Sequence, residues 1–323
     1  MKLFPLHLIP NNTKFDFMRT RHIAVALSLL VLFASIGLIV VKGFNYALDF
    51  TGGTVIEARF EKPADVDGVR ERLERAGYGG AQVQNFGSGA DLLVRLQPHG
   101  EETSNNAEAN NRVAQEVLAA ISTPDNQATV LRNEFVGPQV GKELARNGLY
   151  AAIFVIVGFL IYIAFRFEMK FAIVASITTL FDVVVTAAYF SLSGKDFDLT
   201  VLAGLLSVMG FSINDTIVVF DRVRENFRSL RVEPLEVMNR SINQTLSRTI
   251  ITSLVFFLSV LALYLYGGGS LEGLALTQMI GCVVGTLSSI FLACPLLTMG
   301  PLRVTKQDLL PKAKDVEALA RRP

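Results

Sequence analysis

Six apolar runs of roughly 20 residues constrain this chain more than any other feature: 23–41, 148–165, 171–192, 199–220, 249–266 and 273–293. Four carry no charge, the third carries only Asp182 and the fourth only Asp215. A run of that length crosses a bilayer as a helix, because hydrocarbon offers the backbone no hydrogen-bonding partner and a helix satisfies its own. The first run is longer than a usual signal-peptide core and no A-x-A site follows it, so it reads as an uncleaved helix. The expected fold class is an α-helical polytopic membrane protein, with six transmembrane helices and a small ferredoxin-like α+β domain between helices 1 and 2.

Charge sets the expected orientation. Lys14, Arg19 and Arg21 precede the first run, Arg166 and Lys170 bracket the second connection, and six arginines from Arg222 to Arg248 follow the fourth. Arg303, Lys306, Lys312, Lys314, Arg321 and Arg322 follow the last, while the short opposite-side connections hold only Lys195. By the positive-inside bias, residues 1–22 and 294–323 are cytoplasmic, 42–147 lie outside, and the 148–293 bundle carries a cytoplasmic loop at 221–248.

The outer segment holds 26 of the 59 charged residues. It alternates at 54–60 with Ile56, Ala58 and Phe60 on one face, which predicts a strand. Val66, Val69 and Leu73 recur at helical spacing within 63–76. Strands are expected at 81–86, 91–96 and 129–136, with a second helix at 105–121. That β-α-β-β-α-β order is the split βαβ signature. Residues 97–106, rich in Pro, Gly, Glu and Asn, read as a mobile loop. Beyond Pro234, Leu235, Met238, Ile242 and Leu246 form an apolar edge, which predicts a helix lying on the inner membrane surface or docking a partner.

Function classes narrow by composition. A net charge of +1 gives no basis for nucleic-acid binding. Cys282 lies within the last run and Cys294 at its end, twelve residues apart, which is about 18 Å along a helix and beyond disulfide reach. His7, His22 and His99 lie outside the runs, and no Walker loop, HExxH or metal-ligand cluster occurs, so no catalytic or metal residues and no enzyme activity are expected.

The two membrane aspartates need a reason, since an ionisable group near mid-bilayer costs about 2.5–3.5 kcal/mol on insertion scales. Thr178, Thr179 and Thr186 share the Asp182 face. Ser212, Asn214 and Thr216 surround Asp215, and Arg248 enters the fifth run from the same side, followed by Thr249 and Thr252. Asp215 and Arg248 are expected partners. Either a static buried pair fixes helix register, or the carboxylates form a proton relay. An intramembrane aspartyl protease is disfavoured, because the carboxylates sit at different depths and no GxGD surrounds them. Gly281, Gly285 and Ser289 make a small-residue seam for close packing within the chain or against a partner. Asp49-Phe50-Thr51-Gly52-Gly53 reads, on its chemistry, as a turn before the first strand.

Four ordered motifs then resemble the SecF family: NYALDFTGGTVIE at 45–57, EFVGPQVG at 134–141, SVMGFSINDTIVVFDRVREN at 207–226 and QTLSRTIITS at 244–253. Phe211 and Met169 depart from the family's more usual Tyr and Trp. The resemblance implies a subunit of the SecDF complex, related to resistance-nodulation-division transporters, in the bacterial inner membrane. It implies that this subunit uses the proton-motive force, with no cofactor, at a late stage of secretory-protein export. It implies SecD as heterodimer partner, the SecYEG channel, YajC and YidC as further partners, and an unfolded secretory polypeptide as client. By motif, Asp215 and Arg248 match the family's proton-linked pair and Asp182 its third-span aspartate. A small-molecule transporter half and a purely structural channel partner are the competing classes.

Overall fold

The computed structural model describes residues 13–86, 89–96 and 107–305. The 97–106 loop and part of the 87–89 turn lie outside the described residues. In chain order the elements are helices Arg21–Lys42 (α1) and Leu48–Thr51 (α2), strand Gly53–Phe60 (β1), helix Val66–Arg75 (α3), and strands Gln82–Phe86 (β2) and Asp91–Leu96 (β3). Helix Ala107–Ile121 (α4) and strand Ala128–Val136 (β4) follow. Then come the long helices Pro138–Arg166 (α5), Met169–Ser193 (α6), Leu199–Ser229 (α7), Pro234–Tyr266 (α8) and Gly269–Ser288 (α9), and the short Cys294–Leu296 (α10). The chain forms two compact units, one from Met1–Asn45 with Ala152–Pro323, the other from Tyr46–Ala151.

In the Tyr46–Ala151 unit the sheet order is β2-β3-β1-β4, with every neighbouring pair antiparallel. Sheet order and chain order together give the expected ferredoxin-like arrangement. Alternation in β1 buries Ile56, Ala58 and Phe60 against Val69 and Leu73 of α3 and Val117 and Ile121 of α4. Strand β3 lies between β1 and β2 and buries Leu92, Leu93 and Val94 in succession, so it does not alternate. A bidentate Arg59–Asp91 pair, 2.7 and 3.2 Å, bridges the ends of β1 and β3. The Tyr78 hydroxyl donates to Glu116 of α4 at 2.8 Å; burial and that carboxylate push the phenol up to about 12, so the bond holds through neutral pH. Leu73→Ala, which empties a fully buried site, is expected to weaken this unit by about 2–5 kcal/mol. Hydrogen–deuterium exchange of the β1 and β3 amides in the full chain reads that loss.

Among the described residues, six helices are long and apolar enough to cross a membrane. Within the unit formed by Met1–Asn45 and Ala152–Pro323, α6, α7 and α9 are the most buried, whereas the outer faces of α1, α5 and the C-terminal half of α8 remain exposed. The centre packs closely because its contact faces are small. Along α7 and α9, which run parallel, Gly204 meets Thr277, Val208 meets Gly281 and Ser212 meets Gly285. Both helices step by four residues, one turn at a time. A Cβ at Gly204 would lie 2.7 Å from that of Thr277, and one at Gly281 would overlap the Val208 side chain. The small-residue face of the sixth span thus packs within the chain, against the fourth. After α9 the backbone widens into a π-helical turn, Ser289–Ala293, just before Pro295.

The 221–248 segment, read from sequence as a loop, is helical except at 230–233. The amphipathic stretch after Pro234 is not a separate surface helix. It continues without a break into the fifth span, and Val237, Met238, Ile242 and Leu246 pack with Val223 and Phe227 of the extended α7. No helix-breaking residue stands between them, and the apolar edge finds a protein surface instead of lipid. Residues 15–18 lie across this part of α8. Asn243 exchanges two hydrogen bonds with the Phe15 backbone, its Oδ1 accepting from N–H at 3.0 Å and its Nδ2 donating to the carbonyl at 2.9 Å. Asn239 Oδ1 accepts from Met18 N–H at 2.9 Å, which helps seat the buried Met18 side chain. Phe17 packs edge-on against Phe291 of the π-helical turn.

Candidate functional site

A polar track crosses the apolar centre of the bundle. Asp182 on α6 is 0% exposed, and Ser212 of α7 donates to its Oδ2. The small-residue seam causes this meeting: with no side chain at Gly285, α9 closes onto Ser212 and brings Ser288 to the same carboxylate. The other carboxylate oxygen, Oδ1, has no hydrogen-bond partner among the described residues. The hydroxyls of Thr179 and Thr186 are likewise buried and unpaired, while Thr178 donates back to the Val174 carbonyl at 2.9 Å. A buried polar group left unsatisfied costs about 1–3 kcal/mol, so this concentration is kept against a stability cost.

Asp215, one turn further along α7, is 2% exposed. Its Oδ2 accepts from Ser253 of α8 at 3.3 Å. Thr286 of α9 lies 2.8 Å from Ser253 Oγ, and the Cys282 thiol donates to the Ser253 carbonyl at 3.4 Å. Arg248 acts on Asp215 electrostatically, but no hydrogen bond or ion pair joins the two among the described residues. Arg248 and Thr252 are exposed on the surface of α8, with the Thr252 hydroxyl turned back to the Arg248 and Thr249 carbonyls at 3.0 Å. Thr216 and Thr249 are buried with unpaired hydroxyls, and Asn214 points outward.

The sequence-predicted residues therefore divide. Asp182, Asp215, Ser212, Thr178, Thr179, Thr216 and Thr249 face the interior, whereas Asn214, Thr252 and Arg248 do not. Sequence reasoning missed Ser253, Thr286 and Ser288. Following Arg248 by steps of four leads to Thr252, but the face toward Asp215 is one residue on, through Thr249, Ser253 and the buried Val260. That spacing of polar, polar, apolar positions was the available signal.

The Asp49–Gly53 motif forms a junction of its own. Gly52 ends α2, its N–H donating to the Leu48 carbonyl at 2.8 Å, and has φ 70°. Gly53 follows at φ 121°, and a Cβ there would fall on the Leu96 carbonyl oxygen of β3. A Cβ at Gly141, on the first turn of α5, would lie 2.9 Å from Gly52 N. Thr51 donates to the Ala47 carbonyl at 3.2 Å, and Phe50 stacks edge-on against Tyr46 at 6.0 Å. Asp49 stands in the first turn of α2. The two glycines let a helical turn, a strand and the start of another helix share one point.

Comparison with known proteins agrees with these landmarks. The family model for the protein export membrane protein SecD/SecF C-terminal region matches residues 116–301, and that for the SecD/SecF GG motif matches 37–64. The protein translocase subunit SecF of Escherichia coli O157:H7 is 46% identical over 284 residues, covering 87% of this chain and 86% of the relative. SecF of Pseudomonas aeruginosa is 43% identical over 304 residues, covering 93% and 95%. The crystal structure of SecDF, a translocon-associated membrane protein from Thermus thermophilus, superposes with a TM-score of 0.77 at 38% identity. That match covers 90% of this chain but 39% of the longer SecDF chain. Motifs, fold and relatives coincide: the chain belongs to the SecF family of protein translocase subunits.

Proposed function

We propose that this chain works with SecD in the bacterial inner membrane and uses the proton-motive force to assist late-stage translocation of secretory proteins through the SecYEG channel. Asp215, Arg248 and Asp182 are its proton relay. YajC and YidC are further partners. Both termini face the cytoplasm, and residues 42–147 face the periplasm, where the emerging unfolded polypeptide is met.

The observation that carries the reading is a pair of carboxylates, at 0% and 2% exposure, whose hydrogen bonds among the described residues come from hydroxyls in an apolar bundle. A static structural pair would place a cation directly on each. Here Arg248 is near enough to Asp215 to be felt but is not bonded to it, so the carboxylate is free to exchange a proton. The exposure of Arg248 and Thr252, at a depth where lipid disfavours a cation, supports a SecD surface covering that side of α8. Buried hydroxyls share the helices of the two carboxylates and their partners: Thr216 that of Asp215, Thr249 that of Ser253, Thr178 and Thr179 that of Asp182, and Ser212 donates to Asp182 itself.

Proton influx into SecD-containing vesicles, followed with an enclosed pH-sensitive dye under an imposed gradient, tests the relay. Wild type is expected to admit protons and Asp215→Asn not to. Equal influx from both would sink the reading.

A further inference from the structure

Asp215 is the end of a chain of hydroxyls, and one link in that chain has two places to send its proton. Thr286 Oγ1 lies 2.8 Å from Ser253 Oγ and 2.7 Å from the Cys282 carbonyl oxygen. A threonine hydroxyl carries a single proton and can donate to one of these at a time.

When Asp215 is ionised it only accepts. Ser253 must then donate to it, and Thr286 donates to Ser253, leaving the Cys282 carbonyl without that bond. When Asp215 is protonated its O–H donates to Ser253, Ser253 donates to Thr286, and Thr286 turns to the Cys282 carbonyl. Each order satisfies both hydroxyls, and only hydrogens rotate. We propose that Ser253 and Thr286 are positioning residues of the proton site, forming a reversible hydrogen-bond chain that carries the protonation state of Asp215 through α8 to α9. The proposal rests on Asp215 exchanging protons, as argued above.

Helix α9 is well placed to use that signal. Gly285, adjacent to Thr286, faces the other carboxylate: a Cβ there would lie 3.4 Å from Ser212 Cβ and 3.6 Å from Asp182 Oδ2. Consecutive residues of one helix thus touch both acidic sites. In both orders a Ser253–Thr286 hydrogen bond spans the α8–α9 interface; proton uptake reverses its direction and adds a bond from Thr286 to the Cys282 carbonyl of its own helix. The charged and titratable groups around Asp215 are Arg248 from α8 and the Cys282 thiol from α9, with Asp182 of α6 reached through Ser212 of α7.

The test uses Thr286→Val, which keeps the shape and deletes the hydroxyl, Thr286→Ser, which restores it, and Ser253→Ala. All are made in the full chain within the SecD-containing complex. Two readouts are followed: the infrared carboxylic-acid band of Asp215, identified by its loss in Asp215→Asn, and proton uptake as a function of pH. Thr286→Val and Ser253→Ala are expected to displace the band and to move half-maximal uptake by roughly half to one pH unit, as loss of one hydrogen bond implies. Thr286→Ser is expected to return both to wild type. If Thr286→Val does not accumulate in the membrane, Ser253→Ala carries the same expectation. Wild-type band and profile in these variants, with uptake abolished by Asp215→Asn, overturn the chain and leave the proton site standing. An Asp215→Asn complex that takes up protons normally overturns both.

Discussion

Asp215→Asn is expected to cut export driven by the proton-motive force at least about tenfold and to leave the remainder insensitive to membrane potential. A proton moving through 100 mV supplies about 2.3 kcal/mol, a factor of roughly 50 in an equilibrium. Removing the group that takes the proton removes that bias from the cycle. The substitution itself is gentle. Asparagine has nearly the shape of aspartate, keeps an oxygen for the Ser253 hydroxyl, and removes a buried ionisable group, so the bundle is expected to fold and accumulate normally. Export of a secretory precursor, measured with the potential intact and with it collapsed, gives the comparison. Asp182→Asn added to Asp215→Asn is expected to cost little more, since both act on one proton route; fully multiplicative losses would mean two independent functions.

Gly281→Val is expected to destabilise the central packing of the helical bundle. Its Cβ alone would occupy the space of the Val208 side chain, and two further methyl carbons must also be placed. The backbones of α7 and α9 have to separate, with a penalty of at least about 1–3 kcal/mol for overpacking. Separation also pulls Gly285 away from Ser212 and Thr286 away from Ser253, so stability and proton uptake are expected to fall together. Gly158→Ala, where an added Cβ meets nothing within 4 Å, is the control and is expected to be neutral. Thermal unfolding of both variants in mild detergent, read by loss of the monodisperse species, checks the pair. A Gly281→Val chain as stable as wild type would show that the two helices are not held by this seam.

Much of this architecture is written locally. Apolar length fixed the six spans, and period-two alternation fixed β1, because each depends on a short stretch and one solvent boundary. What needed the tertiary structure were relations between distant segments. The face of α8 turned to Asp215 runs through Thr249 and Ser253, one residue and about 100° around the helix from Arg248, and that rotation is set only by packing against α7 and α9. The small residues of the sixth span announced close packing but not its partner, and the match of Gly281 to Val208 becomes visible only when both helices are placed. Residues 234–248 looked like a membrane-surface helix because their apolar edge suits lipid and protein alike. The extension of α7 to Ser229 supplied the protein.

The clasp between residues 15–18 and α8 also bears on how the chain comes to be built. Phe15 and Asn243 are 228 residues apart, so the segment before α1 lacks this partner until four spans have been made. At about 5–20 residues per second of synthesis, that is a wait on the order of ten to fifty seconds. During that interval Met18 and Phe17, later sealed against α8 and the π-helical turn, have no protein surface to cover them. The bundle is therefore finished by returning to its own beginning, and its opening segment is among the last to reach its native contacts.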